Sequence, residues 1–185
     1  MSLTLIKENG SGLANANAYA DVAEGDAYHD GHLYATDWTG ANSTTKAAAL
    51  VLATRLIDAY YQFRGFKVRD AQALQWPRDW ARDDDAPRIA VMAWLTPAGN
   101  YFASDRLPAA LKNATIETAR EFIRANRADD PDGEGLSTLV LTGTLRLTFD
   151  KADRAPVIPH VAQAMLSKLG EYSKPIAGMA RLVRT

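Results

Sequence analysis

Residues 43 to 63, STTKAAALVLATRLIDAYYQF, constrain the fold more than any other stretch of the chain. At 3.6 residues per turn Ala49, Leu52, Ala53, Leu56, Ile57, Tyr60 and Phe63 fall on one broad side. Thr44, Arg55, Asp58 and Gln62 line the opposite ridge. Ser43 is placed to cap the start, and neither proline nor glycine interrupts the run before Gly65. At about 1.5 Å per residue the helix spans roughly 30 Å, the width of a small domain. Its apolar side is too broad for one seam, so at least two further elements must cover it. The expected fold is therefore mainly α: a small bundle of about four helices with one β-hairpin and extended N- and C-terminal segments.

Composition narrows the function classes. With 185 residues the chain has the size of one domain, expected over 1–172, followed by a tail, 173–185. A formal net charge of −1 supplies no global attraction to nucleic acid or to an anionic membrane. The absence of cysteine excludes disulfides, thiolate metal sites and cysteine nucleophiles. No long apolar run is present and the first ten residues lack the pattern of a secretory signal, so a soluble protein with no membrane partner is expected, made for the cytoplasm or for a particle assembled there.

Along the chain, Leu3 to Lys7 reads as a short strand or extended arm, broken by Asn9-Gly10-Ser11-Gly12. Asp21 and Glu24 form a capping-box pattern that opens a short helix to about Tyr28, and Gly31 with the 37–42 stretch closes that unit. Residues 64–107 carry aromatics among prolines and read as a long ordered loop pinned to the core. Leu107-Pro108 opens another helix, with Leu111, Ala114, Thr118, Phe122 and Ala125 facing inward. Asn113, Glu117, Arg120, Glu121, Arg124 and Arg127 are expected to face water. An acidic loop over 129–135 follows, and then 138–150 (TLVLTGTLRLTFD), whose period of two predicts a hairpin or one bent strand. A last helix is expected from His160 to Glu171, with Val161, Met165, Leu169 and Tyr172 inward. The tail is basic and partly apolar.

Few residue groupings suit chemistry. His29 and His32 lie three apart beside Asp26 and Asp30, but Gly31 and the lack of a second cluster argue for a solvated helix end. Asp83-Asp84-Asp85 reads as a solvated charge run rather than a cation site. There is no phosphate loop, nucleophile elbow or zinc-protease motif. Glu117 and Glu121 read as surface ion pairs with Arg120 and Arg124, and His160 as a capping or packing residue. The expectation is no catalytic residue, no cofactor, no metal and no enzyme. Trp38, Trp76, Trp80 and Trp94, with Arg64, Lys67, Arg69, Arg78 and Arg82 near in sequence, offer either stacking platforms for unpaired bases or pins that hold the long loop. The neutral overall balance favours pins.

Several stretches taken together resemble a known family: Gly12 to Tyr19 (GLANANAY), the capped helix with Asp26-Ala27-Tyr28, the Ala48 to Tyr61 helix, Gln75-Trp76-Pro77-Arg78, and Leu107-Pro108 with Leu111-Lys112, Ala114 and Glu117. They are similar to tailed-phage head–tail connector (head-completion adaptor) proteins, a group that includes proteins labelled DnaT-like ssDNA-binding. The 79–105 stretch stands as an insertion relative to that pattern. The resemblance implies a structural adaptor in the virion neck, assembled in the host cytoplasm. Its copies would form a ring, a dodecamer in such adaptors, beneath the portal protein, with a downstream neck or tail-completion protein and passing DNA as further partners. Portal or neighbouring subunits would meet Lys174, Ile176, Met179, Arg181, Leu182, Val183 and Arg184 of the tail, and Leu145, Arg146 and Leu147 of the hairpin. The alternative is a single-stranded-DNA-binding protein of phage replication.

Overall fold

The structure, a computed structural model, describes residues 3–83, 101–129, 138–141, 145–148 and 155–173. Five helices and three two-stranded antiparallel sheets are found among them. Helices dominate, as expected, but the domain is a mixed α/β one with more pairing than a single hairpin.

The helices α1 (Val22–Asp30) and α2 (Thr36–Thr39) precede the long α3 (Ser43–Tyr60). Asp21 caps α1 through the predicted box: Glu24 N–H donates to its Oδ1 at 2.8 Å, and Asp21 N–H donates to Glu24 Oε2 at 3.1 Å. The short α2 lies within a stretch expected only to close the first unit. For α3 the cap is Asn42 rather than Ser43, with Thr45 N–H donating to Asn42 Oδ1 at 2.8 Å. Ala49, Leu50, Ala53 and Ile57 are buried, whereas Leu52, expected inside, is 37% exposed.

The long helix stops three residues short of Phe63. Its period changes there from 3.6 to 2, with Tyr61 and Phe63 buried and Gln62 exposed, so 61–63 becomes strand β1. Strand β1 (Tyr61–Phe63) pairs antiparallel with the last described strand, β6 (Gly170–Tyr172), in the register Gln62↔Glu171. Gly170 is required at that joint, because a Cβ on it would meet Gln62 O at 2.5 Å. The last helix, α5 (His160–Leu166), is accordingly shorter than 160–171. Ala162 and Leu166 are its buried residues, while Val161, expected inside, is 55% exposed.

Helix α4 (Ala109–Arg124) sits at the centre, packed on α3 and α5 and touched by α1 and α2. It is covered on nearly every side, so the expected division into inner and wet faces fails. Thr115 and Thr118 bury their hydroxyls by donating to the carbonyls of Leu111 and Ala114 one turn back. Glu117 and Glu121 are buried, not surface ion pairs. Glu117 accepts from Tyr28 Oη at 3.0 Å and pairs with Arg120 at 3.0 Å and His32 at 3.4 Å. Glu121 pairs with Arg120 and Arg127.

Two small sheets remain. Strands β2 (Phe66–Lys67) and β3 (Arg78–Asp79) pair within the stretch expected to be loop. Strands β4 (Thr138–Leu141) and β5 (Leu145–Thr148) confirm the predicted hairpin, with Leu139↔Leu147 and Val140↔Arg146 opposed.

Candidate nucleic-acid interface

The aromatics of the 64–107 stretch separate into a buried set and an exposed set. Trp76 is fully buried, edge-on to Phe63 and Phe102 with ring centroids 6.0 Å away in each case. Its backbone N–H donates to Tyr19 Oη at 3.2 Å. Tyr19 Oη in turn donates to Asp58 Oδ1 at 2.5 Å, and Gln75 N–H donates to Asp58 Oδ2 at 3.0 Å. Burial raises the Asp58 carboxyl to about 6, against the lowering effect of the Tyr19 and Gln75 hydrogen bonds. This network ties residues 75–76 to α3, so the chain that leads into β3 (Arg78–Asp79) is anchored in the core.

From that anchor the chain turns outward. Phe66 is 72% exposed, Trp80 65% and Tyr101 38%. Trp80 adopts φ 58°, the left-handed region that a bulky residue rarely occupies. Gly65, itself at φ 77°, lies directly against this turn: a Cβ there would meet Asp79 O at 2.3 Å and Ala81 N at 2.7 Å. Tyr101 is brought to the same place by an antiparallel bridge to Arg82 and by Phe102 N–H donating to Ala81 O at 2.8 Å. Its ring meets Trp80 edge-to-face, centroids 5.3 Å apart and planes at 70°.

Cations lie near two of these rings, Phe66 and Trp80, in sequence. The 64–82 stretch carries five of them, Arg64, Lys67, Arg69, Arg78 and Arg82, against the acids Asp70 and Asp79, in a chain whose net charge is −1. Arg64, Lys67, Arg69 and Arg82 are exposed. The Arg69 stem lies over Gly12, whose added Cβ would sit 3.3 Å from Arg69 Cδ. Beside the patch runs an open groove of about 380 Å3, walled by Gln62, Phe63, Gln75, Arg78 and Ser173. Exposed aromatic faces near exposed cations can stack on unpaired bases while the cations neutralise the phosphates between them.

Other candidates fare differently. Trp38 is fully buried against α1, its Nε1 donating to Asp26 Oδ1 at 2.8 Å, so it is a pin like Trp76. His29 is buried between Tyr28, His32 and Trp38, not at a solvated helix end. Among the described residues no group of three or more His, Asp or Glu side chains could hold a metal. His160 is exposed at the first position of α5. Trp94, Asp84, Asp85 and the tail residues Lys174, Ile176, Met179, Arg181, Leu182, Val183 and Arg184 lie outside the described residues. Leu145, Arg146 and Leu147 fall on β5, described here as backbone pairing alone. Sequence reasoning missed Phe66 and Tyr101. The signal for Phe66 was its place between cations in Arg64-Gly65-Phe66-Lys67; for Tyr101 no local signal exists, since the pairing with Arg82 that places it is tertiary.

The model of the family described as "Putative DnaT-like ssDNA binding protein" matches residues 3–185. The chain belongs to that family. No curated protein and no solved structure matches it. Membership in the DnaT-like family corrects the adaptor reading: the family is described by single-stranded DNA binding, not by a structural role in the virion. The ring, the portal and the neck protein find no support in it. The insertion expected over 79–105 also belongs to the matched span, and its two ends carry Trp80 and Tyr101.

Proposed function

We propose that this DnaT-like protein binds single-stranded DNA through the face that carries Phe66, Trp80 and Tyr101, and acts as a binding protein rather than an enzyme. The observation that carries the reading is the local one: Phe66 and Trp80 are exposed within, and Tyr101 is bridged to, a stretch that also exposes Arg64, Lys67, Arg69 and Arg82, on a chain without a net basic charge. Bases stack on the rings irrespective of sequence, because every base has a π face, and the cations track the backbone. Duplex DNA offers no free face to Trp80. Membership in the family supports the same partner.

The experiment is a tryptophan-fluorescence titration with oligo-dT and with a duplex of equal length, each at low and moderate salt. Quenching by the single strand, weakening steeply as salt rises, is the expected result. No quenching at low salt, or equal affinity for the duplex, would overturn the reading.

A further inference from the structure

Arg78 belongs by sequence to the cation cluster, yet its guanidinium is committed elsewhere. Nε donates to Arg64 O at 2.8 Å and Nη2 to Gly65 O at 2.6 Å. Nη1 donates to Gln75 O at 3.1 Å and to Gln75 Oε1 at 3.3 Å. These bonds join the Arg64–Gly65 turn that follows β1 to the Gln75 segment, two pieces of chain that share no sheet. Arg78 is half-buried, and burial lowers its pKa from the ordinary arginine value. In the register of the small sheet it stands opposite Lys67, one residue before Asp79 and two before Trp80.

We infer that Arg78 is a positioning residue for the single-strand interface: its guanidinium staples Arg64, Gly65 and Gln75 together and so holds the Trp80 turn outward. This rests on the binding reading above. The geometry distinguishes it from a phosphate contact. A planar fork with five donors can bridge three carbonyls at once, whereas a lysine ammonium on a flexible stem cannot hold that arrangement. The groove beside β1, lined by Gly65, Gln75 and Arg78, is open, so water reaches the joint once the staple is gone. Gly65 serves the same joint from the other side, through its contact with Asp79 O and Ala81 N.

The test uses Arg78→Lys, which keeps the charge and loses the fork, with Lys67→Gln as the contrasting variant. Without DNA, acrylamide quenching of the Trp80 component is read as the difference between each protein and its Trp80→Phe partner. Arg78→Lys should change that component measurably while Lys67→Gln leaves it as in the parent. With oligo-dT, Arg78→Lys should weaken binding by about tenfold, on the order of one stacked base, with the salt slope unchanged. Lys67→Gln should instead lower the slope by about 0.7, the value for one phosphate contact on a single strand. Should Arg78→Lys fold poorly, Gly65→Ala strains the same joint with Arg78 intact and is expected to give the same fluorescence change.

An Arg78→Lys protein with parental Trp80 quenching and parental affinity would overturn the staple. So would an Arg78→Gln protein whose salt slope falls by about 0.7, since Arg78 would then be touching phosphate. A parent protein that ignores oligo-dT sinks the binding reading alone, because the fluorescence arm needs no DNA and still decides the staple.

Discussion

Buried His29 and half-buried Asp58 are titratable residues whose effects on stability oppose each other. His29 is 2% exposed, and burial holds its pKa down to about 4. Between that value and about 6.5 the unfolded chain carries the proton and the folded one does not, so stability rises with pH across the window. Asp58 does the reverse. Its folded value of about 6 lies above the unfolded value of about 3.9, so the folded state holds the proton in between and stability falls as pH rises. Urea midpoints measured from pH 4 to 6.5 should therefore climb more steeply in Asp58→Asn than in the parent. In His29→Leu they should climb less or fall. Parallel profiles for all three proteins would refute both assignments. Glu8 offers a second residue-scale check. Its buried carboxylate accepts from Gly10 N–H and Gly12 N–H at 3.0 Å and Leu13 N–H at 2.8 Å. Glu8→Ala leaves those donors without a partner and should cost about 3 kcal/mol in chemical denaturation, the low end of several lost buried bonds.

At the scale of elements, sequence reading succeeded where a segment's own pattern decides its structure and failed where a neighbour decides. The α1 capping box and the β4–β5 hairpin were legible because Asp21-to-Glu24 and the alternation around Leu145 and Leu147 are local signals. The end of α3 was not, because Tyr61 to Phe63 becomes a strand only when Gly170 to Tyr172 arrives beside it from across the chain. Helix α4 shows the same limit. Its charges at Glu117, Arg120 and Glu121 have the spacing of a wet face, but α1 lays Tyr28, and the turn after it His32, over Glu117. With Glu117 at 4% side-chain exposure and Arg120 at 15%, Glu117→Ala removes one of the two carboxylates paired with the Arg120 guanidinium and the acceptor of the Tyr28 hydroxyl. It should destabilise the fold by about 3 kcal/mol, read as a shift of the urea midpoint with an unchanged slope. A loss below about 0.5 kcal/mol would mean that the pair behaves as a solvent-exposed one.

For the whole molecule, net charge is a weak guide. A value of −1 argued against nucleic acid, yet charge acts over about 10 Å in ordinary salt, so the local balance of the Trp80 face governs what it attracts. Nothing in the sequence separates the Trp76 type of tryptophan from the Trp80 type. Both sit among prolines and arginines within five residues, and only the core formed by Phe63, Leu111 and Ile158 with Trp76 tells them apart. The resemblance carried by the residues around Trp76-Pro77-Arg78 reached the DnaT-like group but not the adaptor role attached to it, which the family match corrects; which tryptophan is exposed is tertiary, and a sequence does not carry it. The most direct test is the affinity of Trp80→Ala for a labelled oligo-dT at low salt, by fluorescence anisotropy, beside its thermal midpoint. The account predicts a loss of about 1–3 kcal/mol in binding with the midpoint held to within a degree or two, since the ring is mostly in water. Unchanged affinity in a folded Trp80→Ala protein would contradict it.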